Sequence, residues 1–383
     1  MAYNNTIFRQ MLNIITRLDF EKIVNKHKGD HRVRTLTCWN QYVHILFGQL
    51  GSRHSLRDIV FSSNSQIKKL YHLGIKKTIK RSTLADANNK RPYQIYEDLF
   101  YLFLKRVQSL APKYKSNLPA KLYIMDSTTI DLCLQLFPWA RFRNSKGAVR
   151  MHTLMQADGS LPVFMNITDG KVHDVTAARL MSVPEGSYLT FDRGYHDLNL
   201  YKQLKDRKIR FVTRIKKNAS YRTLGFNMPD PKNGIMTDSI IEFAGYQSRP
   251  KYPFPIRKII YHDKATNKEL VFITNDFDLD AKTIASIYKA RWEIELFFKT
   301  IKQNLKIKRF IGTSRNAVLT QIWIAMIAYL MVSFVKFSQK IKQSVQQIFR
   351  LLEINLMECK SLIDMLKPKL PAEEIEQFCL FKT

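Results

Sequence analysis

What the chain has little of narrows it first. Its four cysteines, Cys38, Cys133, Cys359 and Cys379, are scattered, with no C-x-x-C pair and no histidine at zinc-finger spacing. Neither a disulfide framework nor a structural zinc site is indicated, and a reducing compartment fits. The first residues, Met-Ala-Tyr-Asn-Asn-Thr-Ile-Phe-Arg, lack the basic flank and unbroken apolar run of a secretory signal, so a cytoplasmic location is expected. There is no internal repeat or low-complexity tract. Acid is the scarce charge: 32 Asp+Glu stand against 62 Lys+Arg, a formal net charge of +30. That excess implies a polyanionic partner, nucleic acid first and an anionic membrane surface second.

What is present describes a folded protein of two or three domains: 383 residues, 45% of them hydrophobic and 12% aromatic. One stretch, Asn316 to Val335, runs without a charge between Arg315 and Lys336 and is long enough to cross a bilayer. Asn316, Thr320, Gln321 and Ser333 dilute it, and no second such stretch exists. A buried helix of a large core is the alternative.

Residues 1–115 read as helical, with apolar residues at helical spacing in Ile7 to Leu18, Val43 to Leu50 and Tyr93 to Leu110. Thr83 and Asp86 have capping-box spacing. The helix they would open carries Asn88, Asn89, Lys90 and Arg91, able to reach bases or phosphates in a helix-turn-helix-like reader or to form a solvated face. Pro112 and Pro119 bracket a basic linker, after which the pattern becomes extended. Strands are expected at Lys121 to Ile130, at Ala148 to Gln156 and Leu161 to Ile167 around a hairpin turn, at Tyr188 to Asp192, and at Ile209 to Ile215. Early strands with a hairpin, then strands separated by helices, make a mixed α/β sheet compatible with a ribonuclease-H-like core. The proline-spaced segment 216–275 reads as a β-rich insertion. The expected organisation is a helical DNA-binding domain over 1–115, a catalytic domain from 116–215 and 276–335, the insertion, and a C-terminal helical region over 336–383.

The chemistry lies in three carboxylates. Asp126 falls in one strand, Asp192 ends another, and Glu295 sits in Tyr288 to Lys302, a stretch free of Gly and Pro that reads as one amphipathic helix. On a helical projection Tyr288, Arg291, Glu295 and Lys302 share an arc of roughly 60°, opposite the apolar residues, with Glu293 pointing elsewhere. Acidic side chains from separate elements are what hard divalent cations require in phosphoryl transfer. Other acids, among them Asp131, Asp169, Asp174 and Asp197, lie close to the same elements, so spacing alone does not select the trio.

The local words do. Asp126-Ser-Thr, Asp192-Arg-Gly-Tyr and Tyr288-x2-Arg291-x3-Glu295-x6-Lys302 resemble the DDE transposases of bacterial insertion sequences, in particular the insertion-sequence-four family with its Y-x2-R-x3-E-x6-K signature. The resemblance implies a ribonuclease-H-like domain in which Asp126, Asp192 and Glu295 hold two Mg²⁺ ions, with Mn²⁺ as a substitute, and in which Tyr288, Arg291 and Lys302 hold transposon-end DNA. It implies cut-and-paste transposition on double-stranded DNA, at terminal inverted repeats and target, by a homodimer on DNA. It also implies no membrane contact, with Asn316 to Val335 a buried helix against the catalytic sheet. Further candidates are His173 and Asp174 near the metals, a basic track through Trp139, Arg141, Phe142, Arg143, Lys146 and Arg150, and a basic surface on the insertion from Lys216, Lys217, Arg222, Lys251, Arg257 and Lys258 beside Tyr252 and Phe254.

Overall fold

The computed structural model describes residues 5–114, 118–143, 146–172, 174–216, 218–246, 248–305, 307 and 310–367. His173, Lys217, the side chains of Arg141, Phe142, Arg143 and Lys146, and the tail 368–383 lie outside the described residues. The chain forms two compact units, residues 1–110 with 300–383, and residues 111–299.

The first unit is helical. Its start signals are hydroxyls: Thr6, Thr16, Thr37, Ser55, Ser314, Ser344 and Ser361 each accept a backbone N–H as N-cap, satisfying donors the helix cannot. The expected capping box at Thr83 and Asp86 does not form. The helix there, Arg81–Lys90, begins at Arg81 with no side-chain cap. The Asn64 side chain holds both the N–H and the C=O of Ile79, and that grip turns the chain into the helix ahead of Thr83.

The uncharged stretch lies in the helix Arg315–Ser338, and 94% of its most apolar 18-residue window is buried. Its partners are helices of its own unit, Cys38–Leu50, Arg81–Lys90, Gln94–Gln108 and Val345–Asn355, where a place against the catalytic sheet was expected. Trp323 packs on Phe100 at a ring separation of 5.3 Å. Asn316 donates to the Asn88 carbonyl at 2.8 Å and accepts from the Tyr93 N–H at 3.2 Å, so its polar group ties two helix ends together. The segment expected as catalytic over 276–335 is therefore shared: from Thr300 onward it groups with the helices.

The second unit is a sheet with helical cover. Its strands are β1 (Leu122–Leu132), β2 (Arg141–Arg143), β3 (Lys146–Gln156), β4 (Leu161–Asp169), β5 (Tyr188–Phe191), β6 (Arg210–Arg214), β7 (Tyr221–Asn227), β8 (Ile235–Phe243), β9 (Ile256–Asp263) and β10 (Lys268–Thr274). Their order is β2-β3-β1-β5-β6-β10-β9-β8-β7, with β4 also on β3. β3 pairs antiparallel with both β1 and β4, the hairpin at Asp158–Ser160 joining β3 to β4, while β5 and β6 run parallel to β1. The sequence β4-β3-β1-β5-β6 is a ribonuclease-H-like core, as expected. The β-rich segment continues this sheet, because β10 pairs antiparallel with β6 and carries β9, β8 and β7 outward. Helices Leu198–Asp206 and Ala281–Ala290 pack on it. Between sheet and helices, Tyr201 stacks on Phe211 at 4.7 Å within a cluster that includes Met125, Leu189 and Phe191.

Candidate active site

The sheet register brings the two aspartates together before any side chain is considered. Parallel strands β1 and β5 pair Met125 with Phe191, so the next residues, Asp126 and Asp192, stand on neighbouring strands about 4.8 Å apart and in the same phase of the pleat. Asp192 leaves β5 into a 3-10 turn, Arg193–Tyr195, at the carboxyl end of the parallel strands where open α/β sheets place their ligands.

The third wall is two helices where one was expected. Ala281–Ala290 ends at Arg291, and Trp292–Asn304 begins directly after it. Around this joint the Arg291 N–H bonds Tyr288 O and the Ile294 N–H bonds Arg291 O, at 3.1 and 3.3 Å. These are i→i−3 bonds, a tightening that re-aims the helix. Tyr288 projects from the first helix, buried against Phe272 at a ring separation of 4.9 Å, and its hydroxyl donates to Asp192 Oδ1 at 3.3 Å. Arg291, at the joint, lies between the other two acids, 2.6 Å from Glu295 Oε1 and 3.6 Å from Asp126 Oδ2. Asp126, Asp192, Tyr288, Arg291 and Glu295 thus form one constellation. Glu293 is elsewhere, accepting from the Ser160 hydroxyl at 3.2 Å. Lys302 lies half-buried in the last turn of Trp292–Asn304, about two turns beyond Glu295 along the same helix.

Electrostatics mark this cluster as short of positive charge. Burial pushes the Asp126 carboxyl up to about 6, and the charges of Asp192 and Glu295 push the same way against the Ser127 N–H and Arg291. Arg291 engages Asp126 and Glu295, and among the described residues Asp192 has only the neutral Tyr288 hydroxyl. The donors are all carboxylate oxygens, partly buried and under-compensated, a set that fits a hard divalent cation. Among the described residues no group of three or more His, Cys, Asp or Glu is gathered closely enough to hold a metal ion, and Arg291 engages two of the acids.

A second polar cluster supports Asp126, and sequence reasoning found only part of it. Ser127 donates its N–H to Asp126 Oδ1 at 2.8 Å and its hydroxyl to Asp174 Oδ1 at 2.6 Å. Asp174 also meets Arg150 at 3.3 Å and buried His152 at 3.4 Å. Burial alone would raise the Asp174 carboxyl, but hydrogen bonds from His152 and Ser127 and the charge of Arg150 hold it below its ordinary range. Arg150 is thereby engaged in the protein, not offered to a DNA track. The signal for this cluster was β pairing: Ser127 sits opposite His152.

Several basic and aromatic candidates have structural work instead. Asn88 and Arg91 are buried, bonded to Gln41 and Thr37, so of the four candidates on the proposed reader helix Asn89 and Lys90 are the two that face out. Arg257 is buried in an ion pair with Asp238, Lys258 donates to the Tyr221 hydroxyl, and Tyr252 is in the core. Both faces of β9 are covered at this point, Ile256 to Ile259 all being buried, so the two adjacent cations lie on opposite faces of the strand and each is held by a partner inside the fold.

Residues 118–331 match the family described as Transposase DDE domain, and residues 3–76 match a domain of unknown function, DUF4372. A protein of Sinorhizobium fredii named as a transposase, y4zB, is 32% identical over 250 residues, covering 64% of this chain and 68% of its own. A Geobacillus stearothermophilus protein, named as the probable transposase for insertion sequence element IS5377, is 27% identical over 265 residues, 69% of each chain. Among solved structures, the piggyBac transposase synaptic complex with hairpin DNA aligns over 97% of this chain and 82% of its own, at a TM-score of 0.45 and 13% identity. With the family match spanning more than half of the chain, and with aspartates on β1 and after β5 facing a helix-borne glutamate, the chain belongs to the DDE transposases of bacterial insertion sequences.

Proposed function

We propose that this DNA transposase, an enzyme of DNA strand cleavage and transfer whose DDE domain works with divalent metal ions, moves its element by cut-and-paste transposition, with Asp126, Asp192 and Glu295 as the ligands of two Mg²⁺ ions. The observation that carries this reading is the convergence of those carboxylates, with Arg291 between Asp126 and Glu295 and the charges of Asp192 and Glu295 both acting on Asp126. When bound, the ions supply charge stabilisation for the attacking and leaving oxygens of an in-line displacement at phosphorus.

The protein's own residues do the rest. Tyr288 fixes Asp192 through its hydroxyl, and the Ser127 N–H fixes Asp126. Arg291 is half-buried, with its Nε unpartnered among the described residues; released from the carboxylates, its fork suits a backbone phosphate of the transposon end. Lys302 adds a second cation for the same DNA. The partners are the terminal inverted repeats and the target duplex, bound by a homodimer in the cytoplasm, at the nucleoid.

The test is cleavage of a duplex carrying the element's own ends. Asp192→Ala should lose cleavage and keep duplex binding. Cleavage surviving in that variant would sink the assignment, and wild-type protein that binds without cutting would point instead to a DNA-binding protein that has lost its chemistry.

A further inference from the structure

The helical unit has a concave surface of about 550 Å³, one wall of which lies in the segment that matches the domain of unknown function. One wall is the loop after the helix Arg17–Lys26, and the other is the exposed side of Arg81–Lys90. The loop presents Lys28, Arg32 and Arg34 to solvent, and the helix adds Lys90. None of the four is in an ion pair among the described residues, and the described lining carries a single carboxylate, Asp86.

The loop backbone is held from below while its cations stand free. Gly29 is buried, and a Cβ there would lie 2.5 Å from Ile95 Cδ1 and 2.8 Å from Cys38 Sγ. Asp30 accepts the Cys38 N–H at 2.7 Å, and His27 bonds Asp98 at 2.7 Å. Lys28 and Arg32 have φ of +51° and +57°, a left-handed backbone that side-chain-bearing residues adopt against a steric cost. A structure that holds two basic residues in that conformation, over anchors on both sides, has fixed the spacing of its charges in advance. Unpaired cations at fixed spacing around a concavity are complementary to a row of phosphates.

Resting on the transposase reading, we propose that this cleft is a preformed docking site for the phosphate backbone of duplex DNA, contacting it without reading sequence. Lys28, Arg32, Arg34 and Lys90 are its contacts. It serves a different purpose from the metal-ligating acids, since it fixes where the duplex lies and takes no part in cleavage.

The experiment measures retention of a 30-base-pair duplex of arbitrary sequence by the full chain across a salt series. Each lost phosphate contact lowers the slope of log K against log salt by about 0.9. The variant Lys28→Ala, Arg32→Ala, Arg34→Ala, Lys90→Ala should therefore lower the slope by roughly 3 to 4 and weaken all duplexes alike. A control removes equal charge from exposed positions of the same unit, Lys76→Ala, Lys77→Ala, Lys340→Ala, Lys342→Ala, and should leave the slope within about one of wild type. Matching thermal transitions in the two variants establish that both are folded. An unchanged slope in the cleft variant overturns the proposal, as does an equal fall in both variants, which would reduce the effect to net charge. A loss confined to an RNA hairpin or a single strand overturns it too. Wild-type protein that retains no duplex at low salt would instead overturn the transposase reading.

Discussion

At the scale of single residues, Glu295 and Glu293 make the sharpest contrast. They lie two apart on one helix, yet one meets Arg291 at 2.6 Å and the other meets Ser160. Charge stabilisation by bound cations is worth several kcal/mol in the transition state, so Glu295→Gln should cost about a thousandfold in cleavage rate. Glu293→Gln should stay within a few-fold in the same gel assay, and equal losses would remove Glu295 from its role. Asp174 is the subtler residue. It reaches Asp126 through Ser127, whose hydroxyl it accepts while the Ser127 N–H bonds Asp126. Supporting partners of metal ligands typically matter by about 10- to 100-fold. Asp174→Asn should lower activity by that much at low Mg²⁺ and recover as Mg²⁺ is raised, whereas a merely structural role would lower the melting point and leave the Mg²⁺ dependence alone. The three acids were legible as words in the sequence because each stands in a distinctive local phrase. The Asp174 cluster was not, since it depends on cross-strand pairing between Ser127 and His152, which no local pattern encodes.

At the scale of elements, the helix that carries Glu295 and the long apolar helix show what periodicity can and cannot say. The apolar recurrence from Ile287 to Leu305 gave the right buried face, but the break at Arg291 leaves no trace in it, because an i→i−3 turn shifts the phase only slightly. For Arg315–Ser338, length and apolarity fit a membrane span or a core helix equally, and only the packing decides. Leu330 in its middle is fully buried. Leu330→Ala should lower unfolding free energy in urea by about 2–5 kcal/mol, while a lipid-facing leucine would tolerate the change. The facing helix Cys38–Leu50 predicts an acid response. His44 is buried there with neither ring nitrogen bonded among the described residues, and burial holds it down to about 4. The unfolded chain therefore binds a proton, near its ordinary 6.5, that the folded chain refuses. Stability from this group is complete above that value and falls as pH drops toward 4, by an amount on the order of 3 kcal/mol. His44→Leu should flatten the stability–pH curve in that window. His196, also held near 4 by burial and by Lys216, keeps part of the slope, and a curve unaltered by His44→Leu would remove His44 as its source.

At the scale of the whole molecule, charge and chemistry separate. The net charge of +30 is spread over 62 basic residues, and composition alone made a polyanionic partner legible. Which cations are available was not legible, because Arg150, Arg257 and Lys258 are spent on acids and hydroxyls inside the fold while Lys28, Arg32 and Arg34 stay free in a loop with no recognisable motif. On the proposed reading, attraction to DNA arises from many such charges and from counterion release, whereas cleavage would depend on a few carboxylates, Asp126 on β1, Asp192 just after β5 and Glu295 on its helix. The two should therefore come apart under a chelator. With EDTA in excess, strand cleavage should vanish, and retention of duplex at low salt should remain within a few-fold of its starting value, because the ions neutralise acids and add little to the basic surface. Added Mg²⁺ should restore cleavage without changing the salt slope of binding. Joint loss of both activities would mean that the metal organises the DNA-binding surface itself, and the division between the carboxylate site and the basic helical unit would have to be abandoned.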